Sequence, residues 1–457
     1  MKGKAFYAVL LIVMALTWVL VGCGGKATPA PAPAPAPKAA PAPTPAPAPA
    51  PDASPEKVSP EAQREPPTVV PPRTLVVEPI GEGSNAVGSS YFMLSEDVLE
   101  SPGKANDPRY LGGSGGNAGE ELIYIDDILK DTPAIHFEVK VPDDQKIYGD
   151  AAGTTIPYSG FLLYPITEEN PYSFQPPQTD LSVGFPHRET YMQGMDVAPV
   201  FAEADKHYPL IVYSPGIGGS PAGDNFPEIK WLASHGYAVL AIFSGDGRFP
   251  SFETSPTPQE ITLRPLSIKA SLDYLENHPD YKEHIDFGKI GGWGGSYGGT
   301  TMFAIMGGKI IDKSSSMGGT LGKTVSDTRI KAAVGIVPYM GDTNFPTVMG
   351  RKSSIFGWKH SGAQDVIGPY LAITGSIDTR AVYDYTKEVL ETAKGEMYLI
   401  KCEGEGHGLS EGADQDARTW ALTFLNAYVG GNKDELEKFQ QMLSVEGGAE
   451  DVFVEIE

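Results

Sequence analysis

The sequence predicts an α/β protein built on a doubly wound, mostly parallel sheet with helices on both faces. Three observations carry that expectation. From His207 onward, short apolar runs alternate with segments of helical length and period, the rhythm of strand–helix–strand units. Runs such as Pro209–Tyr213 and Tyr237–Phe243 are apolar throughout, as strands buried on both faces are. No internal repeat interrupts this alternation.

The first residues are not part of that unit. Met1 to Lys4 is a basic stretch, and Ala5 to Leu20 is an apolar run too short and wrongly flanked for a settled transmembrane helix. Residues 1–22 therefore read as an export signal. The run ends in Leu20-Val21-Gly22-Cys23, which resembles the lipobox of bacterial lipoproteins. That resemblance implies that Cys23 is lipidated and becomes the mature N-terminus. The alternative is an uncleaved anchor helix with an incidental cysteine. Both readings place the chain on a membrane of the bacterial cell envelope, facing away from the cytoplasm. Gly24 stands where an aspartate signals inner-membrane retention in some bacteria, which favours the outer membrane.

Residues 23–72 form a linker, an Ala-Pro repeat from Lys26 that then turns polar. With no apolar periodicity it is expected to be extended polyproline II, and some 45 residues at about 3.1 Å each would reach on the order of 100 Å. Cys402 is the only other cysteine, so with Cys23 committed to lipid no intramolecular disulfide is available. The net charge of −23, without a basic cluster after the signal, excludes nucleic acid as a partner.

Residues 73–130 read as an irregular N-terminal extension, loosest at Gly112-Gly113-Ser114-Gly115-Gly116. Ala134–Val141 and Ser159–Pro165 then read as an antiparallel start to a sheet. After the strand Pro209–Tyr213 comes a helix near Glu228–Ser234, closed by a His235-Gly236 cap signal. Tyr237–Phe243 is a strand, and Leu263–Glu276 an amphipathic helix. Further strands are expected at Ile330–Val337, Pro369–Gly375 and Glu396–Lys401, with a helix at Ala381–Ala393. A helix at Gln415–Tyr428 closes a folded unit over 131–430, leaving 431–457 as an acidic C-terminal helix and tail.

The chemistry is concentrated in Lys289-Ile290-Gly291-Gly292-Trp293-Gly294-Gly295-Ser296-Tyr297-Gly298-Gly299-Thr300. An apolar run feeds a glycine-packed turn, and a helix-compatible segment follows. Gly294-x-Ser296-x-Gly298 in that setting is the nucleophile-elbow pattern. A serine at the tip of such a turn requires the strand and helix to approach closely, so a Cβ two residues to either side would collide.

A serine nucleophile needs a base, and a carboxylate to orient the base, in chain order Ser…Asp/Glu…His. Of the eight histidines, His136, His187, His207, His235, His278 and His284 precede Ser296. His360 precedes the strand at Pro369–Gly375, and so precedes the acid. His407, between Gly406 and Gly408 after the last strand, is the candidate base. Asp378 follows the strand ending at Gly375 and is the candidate acid, with helix capping as its plainer role. Asp365 precedes that strand and Asp384 lies inside the next helix. The oxyanion donors are expected to be the backbone amides of Tyr297 and Ile217, Gly216 allowing the backbone to turn.

From about Ser159 to Tyr428 the chain resembles the α/β-hydrolase superfamily, in particular its dienelactone-hydrolase and platelet-activating-factor acetylhydrolase-like branch. Tyr208–Gly216, the turn around Ser296, Gly375-x-x-Asp378 and Gly406-His407-Gly408 carry the likeness. It implies nucleophile Ser296, acid Asp378, base His407 and oxyanion amides at Ile217 and Tyr297, acting on a small-molecule or lipid ester through an acyl-enzyme, without metal or organic cofactor. One departure bears on substrate. The acetylhydrolases commonly have His-Gly where this chain has Pro215-Gly216, and the Ser-Pro-Gly form resembles bacterial cutinases and polyester hydrolases. Prolyl-oligopeptidase-type peptidases share the motif Gly295–Gly299, but Arg73 to His207 is too short for their propeller. A catalytically inactive binding module would not need all three residues in order. In the segment Tyr339–Ile367, expected to overhang the site together with Gly307–Arg329, residues Tyr339, Met340, Phe345, Phe356 and Trp358 are candidates for an apolar acyl wall, with buried loop anchors the commoner fate of such residues.

Overall fold

The computed structural model describes residues 72–90, 135–167, 174–175, 191–193, 198–217, 219, 221, 225–244, 259–311, 322, 324–343, 345, 347–348 and 350–456. Residues 1–68 and 69–457 are separate units. The export signal, Cys23 and most of the linker, as well as 91–130, lie outside the described residues.

In chain order the elements are β1 (Leu75–Val77), β2 (Ala86–Ser89), β3 (Ile135–Lys140), α1 (Gln145–Tyr148), β4 (Thr155–Ile166), β5 (Phe174–Gln175), β6 (Tyr191–Gln193) and β7 (Tyr208–Ser214). There follow α2 (Phe226–Ser234), β8 (Ala238–Ile242), α3 (Gln259–Asn277), α4 (Pro279–Lys282), β9 (Ile285–Gly295), α5 (Tyr297–Ile305) and β10 (Ile330–Ile336). The small strands β11 (Thr347–Val348), β12 (Arg351–Ser354) and β13 (Gly357–Trp358) make a separate three-stranded sheet. The chain continues through β14 (Tyr370–Gly375), α6 (Tyr383–Thr392), β15 (Met397–Cys402), α7 (Glu411–Tyr428), α8 (Lys433–Gln441), β16 (Met442–Val445) and β17 (Asp451–Val454).

The architecture is mixed α/β around a 12-stranded sheet in the order β17-β15-β14-β10-β9-β7-β8-β4-β2-β6-β5, with β3 paired to β4. The six central strands, from β15 to β8, run parallel. Most of their residues are apolar, and the physical reason is burial on both faces. Along β7, Leu210 and Val212 pack into one core and Ile211 and Tyr213 into the other. Helices α3, α5 and α6 cover the first face, and α2, α7 and α8 cover the second. Each Leu, Ile or Val buried this way contributes roughly 1.5–3 kcal/mol.

The expected boundaries need correction at both ends. Within 73–130, which by sequence reads as an irregular extension, β2 lies inside the sheet, antiparallel to β4 and parallel to β6. The tail at 431–457 holds the helix the sequence suggests, but β17 then joins the sheet antiparallel to β15. Both strands are only four residues long and pair with segments distant in sequence, so local pattern does not reveal them. The expected antiparallel start is present as β3 and β4.

Because β7, β9, β14 and β15 are parallel, their carboxyl ends share one edge of the sheet. The loops that follow them carry Ile217, Ser296, Asp378 and His407.

Candidate active site

Ser296 links β9 to α5 with φ 49° and ψ −117°, a left-handed backbone that a side-chain-bearing residue adopts only under constraint. The constraint is visible. The Ser296 amide donates to Ile336 O at 2.9 Å, and its carbonyl accepts from the amides of Tyr339 at 3.0 Å and Thr300 at 3.3 Å. The backing loop is strained as well, with Val337 at φ 41° immediately after β10. The close approach anticipated for the flanking glycines is present. A Cβ on Gly294 would lie 2.2 Å from the backbone carbon of Gly298, and one on Gly298 only 1.8 Å from the carbonyl oxygen of Ser214.

Asp378 and His407 are held by neighbouring loops laced to each other. The amides of Ser376 and Ile377 each donate at 3.0 Å, to Cys402 O and Glu405 O. At Gly375 a Cβ would sit 2.2 Å from Glu405 O, so only glycine lets the two loops close. Asp378, 4 % exposed, uses its two carboxylate oxygens differently. Oδ1 accepts from the amides of Arg380 at 2.7 Å and Ala381 at 2.9 Å, the capping geometry that was its plainer reading. Oδ2 accepts from His407 Nδ1 at 2.8 Å. Burial alone would raise this carboxyl, but the hydrogen bonds from His407, Ala381 and Arg380 outweigh it and hold Asp378 below the usual carboxylate range.

A carboxylate can only accept, so the bond to Asp378 places the His407 proton on Nδ1 and leaves Nε2 as an acceptor. Nε2 lies 3.1 Å from Ser296 Oγ. The structure thus brings Ser296, His407 and Asp378 into one hydrogen-bonded line. Three other aspartates between Ser296 and His407 in the chain are engaged elsewhere. Asp342 accepts from Tyr339 Oη at 3.1 Å, Asp365 pairs with Lys309, and Asp384 lies 3.7 Å from Lys352. His360 likewise faces Glu388, at 3.1 Å.

The half-buried Ile217 sits in a turn closed by the Gly219 amide donating to Gly216 O at 3.1 Å. Gly216 is not in the left-handed region, so the expectation that its conformational freedom makes this turn is corrected. The turn is instead shaped from below. Arg264 of α3, 1 % exposed, donates from Nη1 to Pro215 O at 2.6 Å and from Nη2 to Gly216 O at 3.1 Å. Its Nη1 also lies 3.5 Å from Ser214 Oγ. Gly216 borders the serine itself, since a Cβ there would be 3.5 Å from Ser296 Cβ. Sequence reasoning did not single out Arg264. The available signal is an arginine on the same helical stripe as Ile268, Leu272 and Leu275, where a charge needs buried partners.

Of the two readings of the aromatic segment, burial favours the loop anchors over the acyl wall for three residues. Met340, Phe345 and Phe356 are 0 %, 3 % and 0 % exposed and anchor the β10–β14 segment in the core. Tyr339 touches the elbow, its ring 4.5 Å from that of Tyr297. In the loop after α5, residues 312–321 and 323 lie outside the described residues.

Behind β7, on the opposite face from Arg264, Tyr213 Oη is 2.5 Å from Glu228 Oε2 and 3.0 Å from Asn225 Oδ1. Burial pushes the Glu228 carboxyl up to about 7, against the opposing pull of the Tyr213 hydroxyl and Arg418. Protonated Glu228 can donate to the Tyr213 oxygen while the tyrosine donates its single proton to Asn225 Oδ1.

Neither a protein-family model nor a curated protein matches this chain in sequence.

Proposed function

We propose that the chain is a serine ester hydrolase of α/β-hydrolase type, working through Ser296, His407 and Asp378. The observation that carries this reading is the line from Ser296 Oγ to His407 Nε2 at 3.1 Å and from His407 Nδ1 to Asp378 Oδ2 at 2.8 Å, with the serine on a strained turn. The convergence of these loops at the carboxyl edge of parallel strands supports it further.

In the proposed reaction Ser296 Oγ attacks the ester carbonyl carbon as His407 Nε2 takes its proton. The carbonyl oxygen becomes an oxyanion facing the amides of Tyr297 and Ile217. Collapse breaks the bond to the alkoxy oxygen, which leaves as the alcohol with the proton returned by His407. Water, deprotonated by the same nitrogen, then attacks the acyl-enzyme and releases the acid. Proton transfer of this kind contributes about 10²–10⁴-fold, and each oxyanion donor about 10²–10³-fold. Asp378 stays ionised and stabilises the imidazolium formed at each step, which suits its lowered pKa. The Leu20–Cys23 motif supports a lipid-anchored, extracytoplasmic setting for this chemistry.

A fluorophosphonate probe tests the reading. Wild type should be labelled once, at Ser296, and Ser296→Ala should be neither labelled nor active on p-nitrophenyl esters. Folded wild type that resists the probe would refute it. A chain-length series of those esters, run beside a polyester film and a peptide amide, separates lipid ester, polyester and peptide substrates.

A further inference from the structure

We infer that Arg264 is a positioning residue for the oxyanion hole, fixing the peptide plane that presents the Ile217 N–H to the substrate. This rests on the esterase reading above and assigns a role to a side chain outside the triad. The argument begins with burial. A guanidinium that is 1 % exposed is expensive to desolvate, and an apolar residue could have filled the same volume on α3. Arg264 directs two nitrogens at consecutive carbonyls, Pro215 O at 2.6 Å and Gly216 O at 3.1 Å.

Gly216 O and the Ile217 N–H belong to one trans peptide unit, in which carbonyl and amide point in opposite directions. Holding the carbonyl toward α3 therefore turns the amide away from α3. The Gly219 amide adds a second bond to the same carbonyl, at 3.1 Å. Across this loop, Ser214 O lies against Gly298 at the start of α5, so the strand end is gripped between the arginine and the elbow. The planar fork matters because a lysine has a single nitrogen and cannot bridge two carbonyls in fixed geometry. The charge acts as well. A cation hydrogen-bonded to the carbonyl polarises the peptide unit and makes its N–H a stronger donor to a developing oxyanion.

The test compares full-length wild type with Arg264→Met and Arg264→Lys on an ester and on the thionoester of the same acid and alcohol. Sulfur is a poor hydrogen-bond acceptor, so the ester-to-thionoester rate ratio reads the oxyanion donors directly. Arg264→Met should lose about 10²-fold or more in kcat with KM within a few-fold of wild type, and its rate ratio should fall in parallel. Arg264→Lys should recover part of both. A folded Arg264→Met with wild-type kcat would overturn the inference. So would a loss of kcat with an unchanged rate ratio, or failure of both variants to fold, because each assigns Arg264 to the scaffold. Wild type without ester hydrolysis or fluorophosphonate labelling would instead sink the functional reading, so the two failures are distinguishable.

Discussion

Gly298→Ala is the sharpest perturbation of the elbow, because the structure fixes both its sign and its scale. The new methyl would lie 1.8 Å from Ser214 O and 2.8 Å from Pro215 O. Both obstacles are backbone, so no side chain can swing aside. Restoring normal contact requires β7 and α5 to separate by about 1 Å or more, and strain of this kind typically costs about 1–3 kcal/mol. Alanine recovers only about 0.5–1 kcal/mol of helix preference over glycine, so the net effect is destabilising. The functional effect is larger, since the loop being displaced carries Ile217 and the helix being displaced begins at Tyr297. A misplacement of that size can cost on the order of 10²-fold in rate. Gly295→Ala is the control, because a Cβ there meets nothing within 4 Å. Ester hydrolysis and thermal melts on both variants decide the matter. Gly298→Ala should lose kcat and melt earlier, while Gly295→Ala should stay close to wild type. Equal behaviour of the two variants, or wild-type turnover by Gly298→Ala, would refute the close approach as the reason for the glycine.

Other outcomes follow from the same structure. His407→Ala and His407→Ala/Asp378→Asn should be almost equally inactive, since triad members act non-additively; multiplicative losses would leave Asp378 only its cap to Arg380 and Ala381. Glu228 has a folded pKa raised to about 7, so from the ordinary carboxylate range up to that value the unfolded chain releases a proton that the folded chain keeps. Stability should therefore fall across this window as pH rises and level off above it, and Glu228→Gln should lack that slope in thermal melts; an identical slope in the variant would assign it to another group. Cys23→Ser should accumulate as unprocessed precursor, whereas lipid-bearing mature protein from this variant would remove the lipoprotein reading.

The central strands were legible because burial on both faces leaves a continuous apolar run, a signal that needs no knowledge of neighbours. β7, β8, β10, β14 and β15 all begin and end within about two residues of the runs that announce them. The proposed triad was legible for a different reason: glycine spacing marks the turn, and chain order limits which histidine and aspartate can follow it. What escaped depends on partners distant in sequence. Ala86–Ser89 and Asp451–Val454 become strands only because β4 and β15 offer edges to them. Met340, Phe345 and Phe356 look alike in sequence whether they line a cleft or anchor a loop, and only packing tells these apart. Arg264 sits in a segment read correctly as an amphipathic helix, and its place on the apolar stripe turns its charge inward, but nothing local names the carbonyls that meet it.

The pairing of β1 with β16 has a consequence for how the body is made. Arg73 Nη1 donates to Phe439 O at 2.6 Å across 366 positions of chain, and its guanidinium lies 3.4 Å from the centre of the Phe453 ring. Leu75 pairs with Met442 beside it. Closing a loop of that length carries an entropic cost on the order of 5 kcal/mol, which must be met before the contacts return anything. Contacts this distant form late in folding. During synthesis β1 must therefore wait for residues 366 positions further along the chain to emerge. A chain cut short before Met442 would carry every residue of the proposed active site and still leave its opening strand without a partner.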